Sequence, residues 1–299
     1  MNRTPPFLRP GDLIGFVATA RFLETERIEE ARKLFVAAGF RVRVDEYADR
    51  PFHQFGGDDA SRSAAFNRML ADEEIKAVFS VRGGYGSVRM VDGIDDALLK
   101  ATPKWICGYS DITILHGRAQ QLNIQSLHCP MPVDLPSCSP EAREQTFRAL
   151  KGENIDQEWA GSENDLVGTA EGILKGGNLS VLYSLLGSAD LPDMQGAVLF
   201  IEEIDEYLYH IDRMLQGMSR SGLFAGLKGV VIGGLTDMND HDRPFGWTAE
   251  QIIRDQFAPL NIPVAFGLPA GHIRDNRPLL LGGKVRLEHE CGHWKLSYH

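Results

Sequence analysis

The sequence predicts a two-domain α/β protein, an open parallel sheet with its helices followed by a smaller mixed α/β domain that ends in β-strands. Three observations predict it. The chain has 299 residues, more than one core usually organises. Its first half alternates strand-like and helix-like segments, the rhythm that builds a parallel sheet. Its end carries several short apolar runs bounded by turn signals.

Leu13 to Thr19 is a short apolar run after the turn signal Pro10-Gly11-Asp12 and reads as the first strand. From Thr25 to Gly39, Ile28, Ala31, Phe35 and Ala38 recur at helical spacing, and Gly39 stands where a left-handed cap would close a helix. Arg41 to Tyr47 alternates around Val42 and Val44, Ser61 to Leu70 is helical in pattern, and Ala77 to Val81 is a buried-type strand. Trp105 to Gly108 reads as a strand, Ile112 to Gln121 as a helix, and Ile124 to Leu127 as a strand before the proline-rich Pro130 to Pro140.

A polar helical stretch follows. Lys151 to Asp165, rich in charge, Gly and Asn, reads as a linker, so the domains are expected to divide as 1–155 and 156–299. The second domain is expected to hold helices at Asn178 to Leu186, Tyr209 to Ser219 and Thr248 to Phe257. Strands are expected at Ala197 to Ile201, Gly229 to Gly234 and Pro263 to Phe266, with terminal ones at Leu279 to Leu281, Val285 to Leu287 and Trp294 to Tyr298.

Composition narrows the function. Lys plus Arg less Asp plus Glu is 31 − 41 = −10, a field that repels phosphate backbones and anionic lipid, so neither nucleic acid nor membrane is an expected partner. An anionic small substrate would need a local arginine or a set of backbone N–H groups. Met1 to Pro10 holds three prolines and no apolar run, and the four cysteines form no CxxC pair, which together suit a cytoplasmic protein.

Candidate chemistry gathers at strand ends. In Cys107-Gly108-Tyr109-Ser110-Asp111-Ile112 a strand ends, turns and opens a helix just after a serine, which places a hydroxyl at the sheet's C-terminal edge beside free N–H groups. Ser110 there is either a nucleophile or a helix cap, and the G-x-S-x-G pattern is only half present because position 112 is isoleucine. Arg82-Gly83-Gly84-Tyr85-Gly86 follows another strand in the same way and would serve as an oxyanion loop or as a plain tight turn; it lacks the nucleotide-loop signatures.

The acidic run Glu202-Glu203-Ile204-Asp205-Glu206 and the loop histidine of Gly271-His272-Ile273-Arg274 complete the inventory, each with solvation as its bland alternative. His289, Cys291 and His293 alternate in a way that invites a metal reading. Against it, Gly292 suggests a turn between two terminal strands, and no fourth ligand is near in sequence, so no metal is expected.

Taken together, five separated motifs resemble the LD-carboxypeptidase family of serine peptidases. They are Val81 to Gly86, Cys107 to Asp111, Lys175-Gly176-Gly177-Asn178-Leu179, Leu199 to Glu206 with Ile211-Asp212-Arg213-Met214-Leu215, and Gly271-His272. The resemblance runs from about Gly11 to the C-terminus. It implies a Rossmann-like or flavodoxin-like N-terminal domain carrying the nucleophile Ser110, and a C-terminal domain carrying Glu202 and His272. The family usually has Glu-Asp where this chain has Glu202-Glu203, which leaves Glu203 a lesser candidate for the orienting acid.

The resemblance further implies cleavage of a terminal D-alanine from murein tetrapeptides without a cofactor, in a homodimer. Related members hydrolyse peptide-nucleotide antibiotics of the microcin type, which is the alternative reading; a non-catalytic sensor of murein fragments and a nucleotide-dependent enzyme are the others. Backbone N–H groups of Gly83, Gly84 and Asp111 are the expected oxyanion donors, and Arg82, Tyr85 and Arg274 are expected to contact substrate.

Overall fold

A computed structural model describes residues 3–299 and divides them into two compact units. Unit 1 comprises Met1–Asn154 with Arg274–Leu280, and unit 2 Ile155–Ile273 with Leu281–His299. The observed break falls one residue from the expected one, but residues 274–280 belong with unit 1, so Arg274 lies there and not with the C-terminal domain.

Unit 1 contains β1 (Leu13–Val17), α1 (Thr25–Ala37), β2 (Arg41–Val44), the two-residue strands β3 (Pro51–Phe52) and β4 (Phe55–Gly56), α2 (Asp59–Ala71) and β5 (Ile75–Ser80). There follow α3 (Ser87–Met90), α4 (Asp96–Ala101), β6 (Trp105–Gly108), α5 (Thr113–Gln121), β7 (Ser126–His128) and α6 (Pro140–Lys151). The first sheet runs β13-β7-β6-β5-β1-β2, where β13 is the short Leu279–Leu281. β2, β1, β5, β6 and β7 are mutually parallel.

Counting only those five parallel strands in chain order gives the doubly wound sequence 2-1-3-4-5, with its switch point between β1 and β5. α1 packs by the face the periodicity predicts: Ile28, Ala31 and Phe35 are buried, and the Phe35 ring meets Phe16 of β1 and Phe79 of β5 edge-on at 5.1 and 4.9 Å. Such edge-to-face pairs add to the burial of the rings themselves.

Unit 2 holds β8 (Gln157–Ala160), β9 (Thr169–Asn178), α7 (Leu179–Ser184), β10 (Ala197–Ile204), α8 (Leu208–Arg220), β11 (Gly229–Thr236), α9 (Ala249–Phe257), β12 (Val264–Phe266), β14 (Lys284–Glu290) and β15 (His293–Tyr298). Its sheet runs β12-β11-β10-β9-β14-β15-β8, parallel from β12 to β9 and antiparallel beyond. α8 buries Ile211, Met214, Leu215 and Met218, one stripe at helical spacing, in a core shared with Leu199 and Ile201 of β10 and Ile253 and Phe257 of α9.

Two elements of unit 2 differ from expectation. The supposed linker contains β8, whose Gln157 and Trp159 point inward while Glu158 and Ala160 point out; Trp159 pairs with Trp294 and donates its indole N–H to the Phe266 carbonyl at 2.8 Å. β9 was hidden by its three glycines. A Cβ at Gly172 would lie 2.5 Å from the Gly196 carbonyl oxygen, and one at Gly176 would strike the Phe200 backbone, so close approach of β9 to β10 demands the residue type that disguises a strand. As for the alternating His289, Cys291 and His293, Gly292 does form the turn between β14 and β15, and His289 packs edge-on against Trp294.

Candidate active site

Ser110 lies two residues beyond the end of β6 and begins a single 3₁₀ turn, Ser110–Ile112, that leads into α5. Its φ is +63°, a left-handed conformation that costs a non-glycine residue about 1–3 kcal/mol. That is a sharp strand-to-helix turn, formed although the second glycine of the G-x-S-x-G pattern is missing. Strain of this kind persists only where the surroundings impose it.

The surroundings are identifiable. Gly83, just past β5, faces the serine: a Cβ there would come 3.4 Å from Ser110 Cβ and 3.5 Å from its Oγ. The loop is tied down at its far end, where the buried Asp111 carboxylate accepts the backbone N–H of Ser87 at 2.8 Å. Burial pushes the Asp111 carboxyl above its ordinary range, and the Ser87 N–H and the nearby Arg62 oppose that rise. Arg62 is itself fully buried; its Nη1 donates to the carbonyls of Thr19 at 2.6 Å and Gly86 at 2.9 Å, and its Nη2 to Asp59. The serine turn and the glycine loop are thus cross-braced through one acid and one guanidinium.

A second brace is His116 on α5, fully buried, whose ring nitrogens lie 2.9 Å from the Gly108 carbonyl and 2.8 Å from the Ser126 hydroxyl. A carbonyl can only accept, so Nε2 carries the proton and Nδ1 accepts from Ser126. Burial lowers the His116 pKa from 6.5 to about 4. Below pH 6.5 the unfolded chain therefore takes up a proton that the folded one refuses until about pH 4, so stability present above pH 6.5 is lost as pH falls through that window. The loss attributable to this residue should be roughly 3 kcal/mol, and urea titrations at pH 7 and pH 4.5 should show a smaller acid loss in His116→Gln than in the parent.

In unit 2, β10 carries Glu202 and Glu203 at a register shift against β11, a bulge between Ile201 and Glu203 that re-aims side chains. Both acids are buried but they face different partners. Glu202 Oε2 accepts the ring Nδ1–H of His272 at 2.6 Å and the backbone N–H of the same residue at 3.1 Å; its Oε1 is buried without a hydrogen-bond partner among the described residues. Glu203 instead caps α7, accepting Asn178 Nδ2 at 2.8 Å and the Ser180 N–H at 2.7 Å, and burial raises its carboxyl above the usual range. The family resemblance favours Glu202 with Glu203 as the lesser candidate, and the geometry puts the histidine on Glu202.

His272 is fixed further by Thr236, whose hydroxyl donates to its carbonyl at 2.8 Å. With Nδ1–H given to a carboxylate, Nε2 is the ring's acceptor, the protonation a general base requires. Gly271 makes room for this. Its φ is +103°, and a Cβ there would lie 2.7 Å from both Cβ and Oε2 of Glu202. Gly271→Ala should cost about 2–4 kcal/mol in chemical denaturation, the sum of backbone strain and overpacking, and should lower turnover further by shifting His272.

Of the expected substrate contacts, Arg82 is half-buried and Tyr85 and Arg274 are exposed. Sequence reasoning missed Arg62 and His116, the braces, because a buried cation or histidine inside a helical pattern carries no local signature.

Family models match both halves of the chain: the LD-carboxypeptidase N-terminal domain over residues 14–129 and the LD-carboxypeptidase C-terminal domain over residues 171–287. The chain belongs to the LD-carboxypeptidase family. It is therefore a hydrolase and a serine-type carboxypeptidase. Among its relatives, a probable murein peptide carboxypeptidase of Bacillus subtilis is 31% identical, with 96% of this chain and 92% of that protein covered.

Solved structures agree on the LD-carboxypeptidase fold. The muramoyltetrapeptide carboxypeptidase of Oxalobacter formigenes superposes with a TM-score of 0.88 at 26% identity, covering 96% of this chain and 98% of that one. The microcin C7 self-immunity protein, in complex with aspartyl sulfamoyl adenosine, reaches the same 0.88 at 19% identity over 100% and 99%, a likeness of fold. No helix among the described residues is long and apolar enough to cross a membrane.

Proposed function

We propose that this enzyme removes the terminal D-alanine of cytoplasmic murein tetrapeptides, with Ser110 as nucleophile, His272 as general base and acid, and Glu202 as the acid that orients it. The observation that carries the mechanism is the 2.6 Å contact between Glu202 Oε2 and His272 Nδ1, which leaves Nε2 of an oriented ring to accept a proton. The constrained turn at Ser110 supports the other half. The substrate class rests on the relatives' names, above all the murein peptide carboxypeptidase matched along 96% of the chain.

The Ser110 hydroxyl adds to the carbonyl carbon of the scissile amide as its proton passes to His272 Nε2, and Glu202 stabilises the resulting imidazolium. The negative oxygen is met by backbone N–H groups of Asp111 and of the Gly83-Gly84 loop, one such donor being worth about 3–4 kcal/mol of barrier. Collapse breaks the C–N bond, His272 delivers the proton to the departing amine, and water repeats the cycle on the acyl-enzyme. Arg82, Tyr85 and Arg274 are offered as further substrate contacts, and two copies are proposed to pair in solution.

Incubation with a murein tetrapeptide and, separately, with an aminoacyl sulfamoyl nucleoside tests the assignment. Release of D-alanine and a tripeptide, with kcat/KM far above that for the nucleoside, is expected. Hydrolysis of the nucleoside alone would move the enzyme to the microcin-type class. Release of neither product would end the peptidase reading.

A further inference from the structure

Arg21 is an arginine that the proposed mechanism does not use. It lies just beyond the end of β1, on the other side of the β1/β5 switch point from the glycine loop, and its backbone is bridged to Phe55. In sheets of this topology ligands enter at the carboxyl ends of the strands flanking that point. Its side chain lies across Gly84: a Cβ at that position would be 2.8 Å from both Cδ and Nε of Arg21. That Nε is buried and has no hydrogen-bond partner among the described residues.

Acidic residues outnumber basic ones, 41 to 31, and in unit 1 Arg32, Arg43, Arg62, Arg68, Arg89 and Arg118 each hold a carboxylate. Arg21 forms no ion pair among the described residues. A planar guanidinium set into a wall with its donors unspent is suited to a carboxylate that arrives from outside.

The spacing fits an exopeptidase. A Cβ built on Gly83 would lie 3.5 Å from Ser110 Oγ and one on Gly84 2.8 Å from Arg21 Nε, so the hydroxyl and the guanidinium border adjacent residues of the loop. In a peptide cut at its last bond, the carbonyl attacked and the free carboxylate are likewise one residue apart, about 3.8 Å between Cα atoms. We infer that Arg21 binds the free terminal carboxylate of the substrate and so restricts cleavage to the last residue. The inference rests on the peptidase reading above and deepens it.

The test uses the full-length enzyme with a murein tetrapeptide ending in free D-alanine and with the same peptide ending in D-alaninamide. The parent should strongly prefer the free acid. Arg21→Gln should lower kcat/KM for the acid by roughly 30-fold or more, chiefly through KM, and leave the amide unchanged, so that the acid-to-amide preference collapses. Arg21→Lys should recover part of it. An unchanged preference in Arg21→Gln overturns the inference, and so does a collapse produced by Arg82→Gln but not by Arg21→Gln. If the parent cleaves neither peptide, the peptidase reading itself has failed and Arg21 falls with it.

Discussion

Ser110→Ala is expected to lower kcat for D-alanine release by roughly 10⁴- to 10⁶-fold, the loss typical when the nucleophile of a cooperating set is removed. The variant should fold. Only Oγ is deleted from a half-buried side chain, and alanine meets the same left-handed backbone at similar cost. KM should hold, because the glycine loop and its braces through Asp111 and Arg62 are untouched. The neighbouring Asp111 offers no substitute, since its carboxylate is buried and engaged with the Ser87 N–H. D-alanine release within tenfold of the parent, at an unchanged thermal midpoint, would remove Ser110 from the mechanism.

The serine turn shows what was legible in the sequence and what was not. An apolar strand followed by Gly108 and Ser110 located the turn, yet its half-formed motif could not separate nucleophile from cap. The structure adds a φ of +63° at Ser110 and a facing Gly83 loop from a distant part of the chain, neither of which local pattern could show. Strongly periodic helices such as α1 and α8 were readable because one buried stripe dictates them. β9 was not, because its glycines answer to the backbone of β10 and not to any local preference.

The same holds for β13 and the carboxylates. Leu279–Leu281 reads as a strand, but local pattern does not say which sheet receives it, and it completes the first one. Glu202 and Glu203 are adjacent and chemically alike; the motif match ranks Glu202 first, and the strand turns the two toward different partners, which local pattern does not show. Arg21 illustrates the converse limit. As one arginine in a loop it carried no signal, and it became informative only beside Gly84 and without an acid.

Glu202→Gln should reduce kcat by about 10³- to 10⁴-fold, as loss of an orienting carboxylate does elsewhere. Two donors, the Nδ1–H and the backbone N–H of His272, converge on Oε2. A glutamine that keeps its carbonyl there must put its NH₂ where Oε1 now lies buried without a partner, which costs about 1–3 kcal/mol. One that turns its NH₂ toward the ring opposes donor to donor at the backbone and drives the proton from Nδ1 to Nε2, where the ring can no longer accept from a serine. The first keeps the tautomer but removes the negative charge that stabilises the imidazolium, and the second blocks the base outright. Glu203→Gln makes the contrast: it weakens the cap of α7, so denaturation should register the change while kcat stays within a few-fold. If the two variants exchanged these phenotypes, the acid of the mechanism would be Glu203, and the 2.6 Å contact at His272 would be structural only.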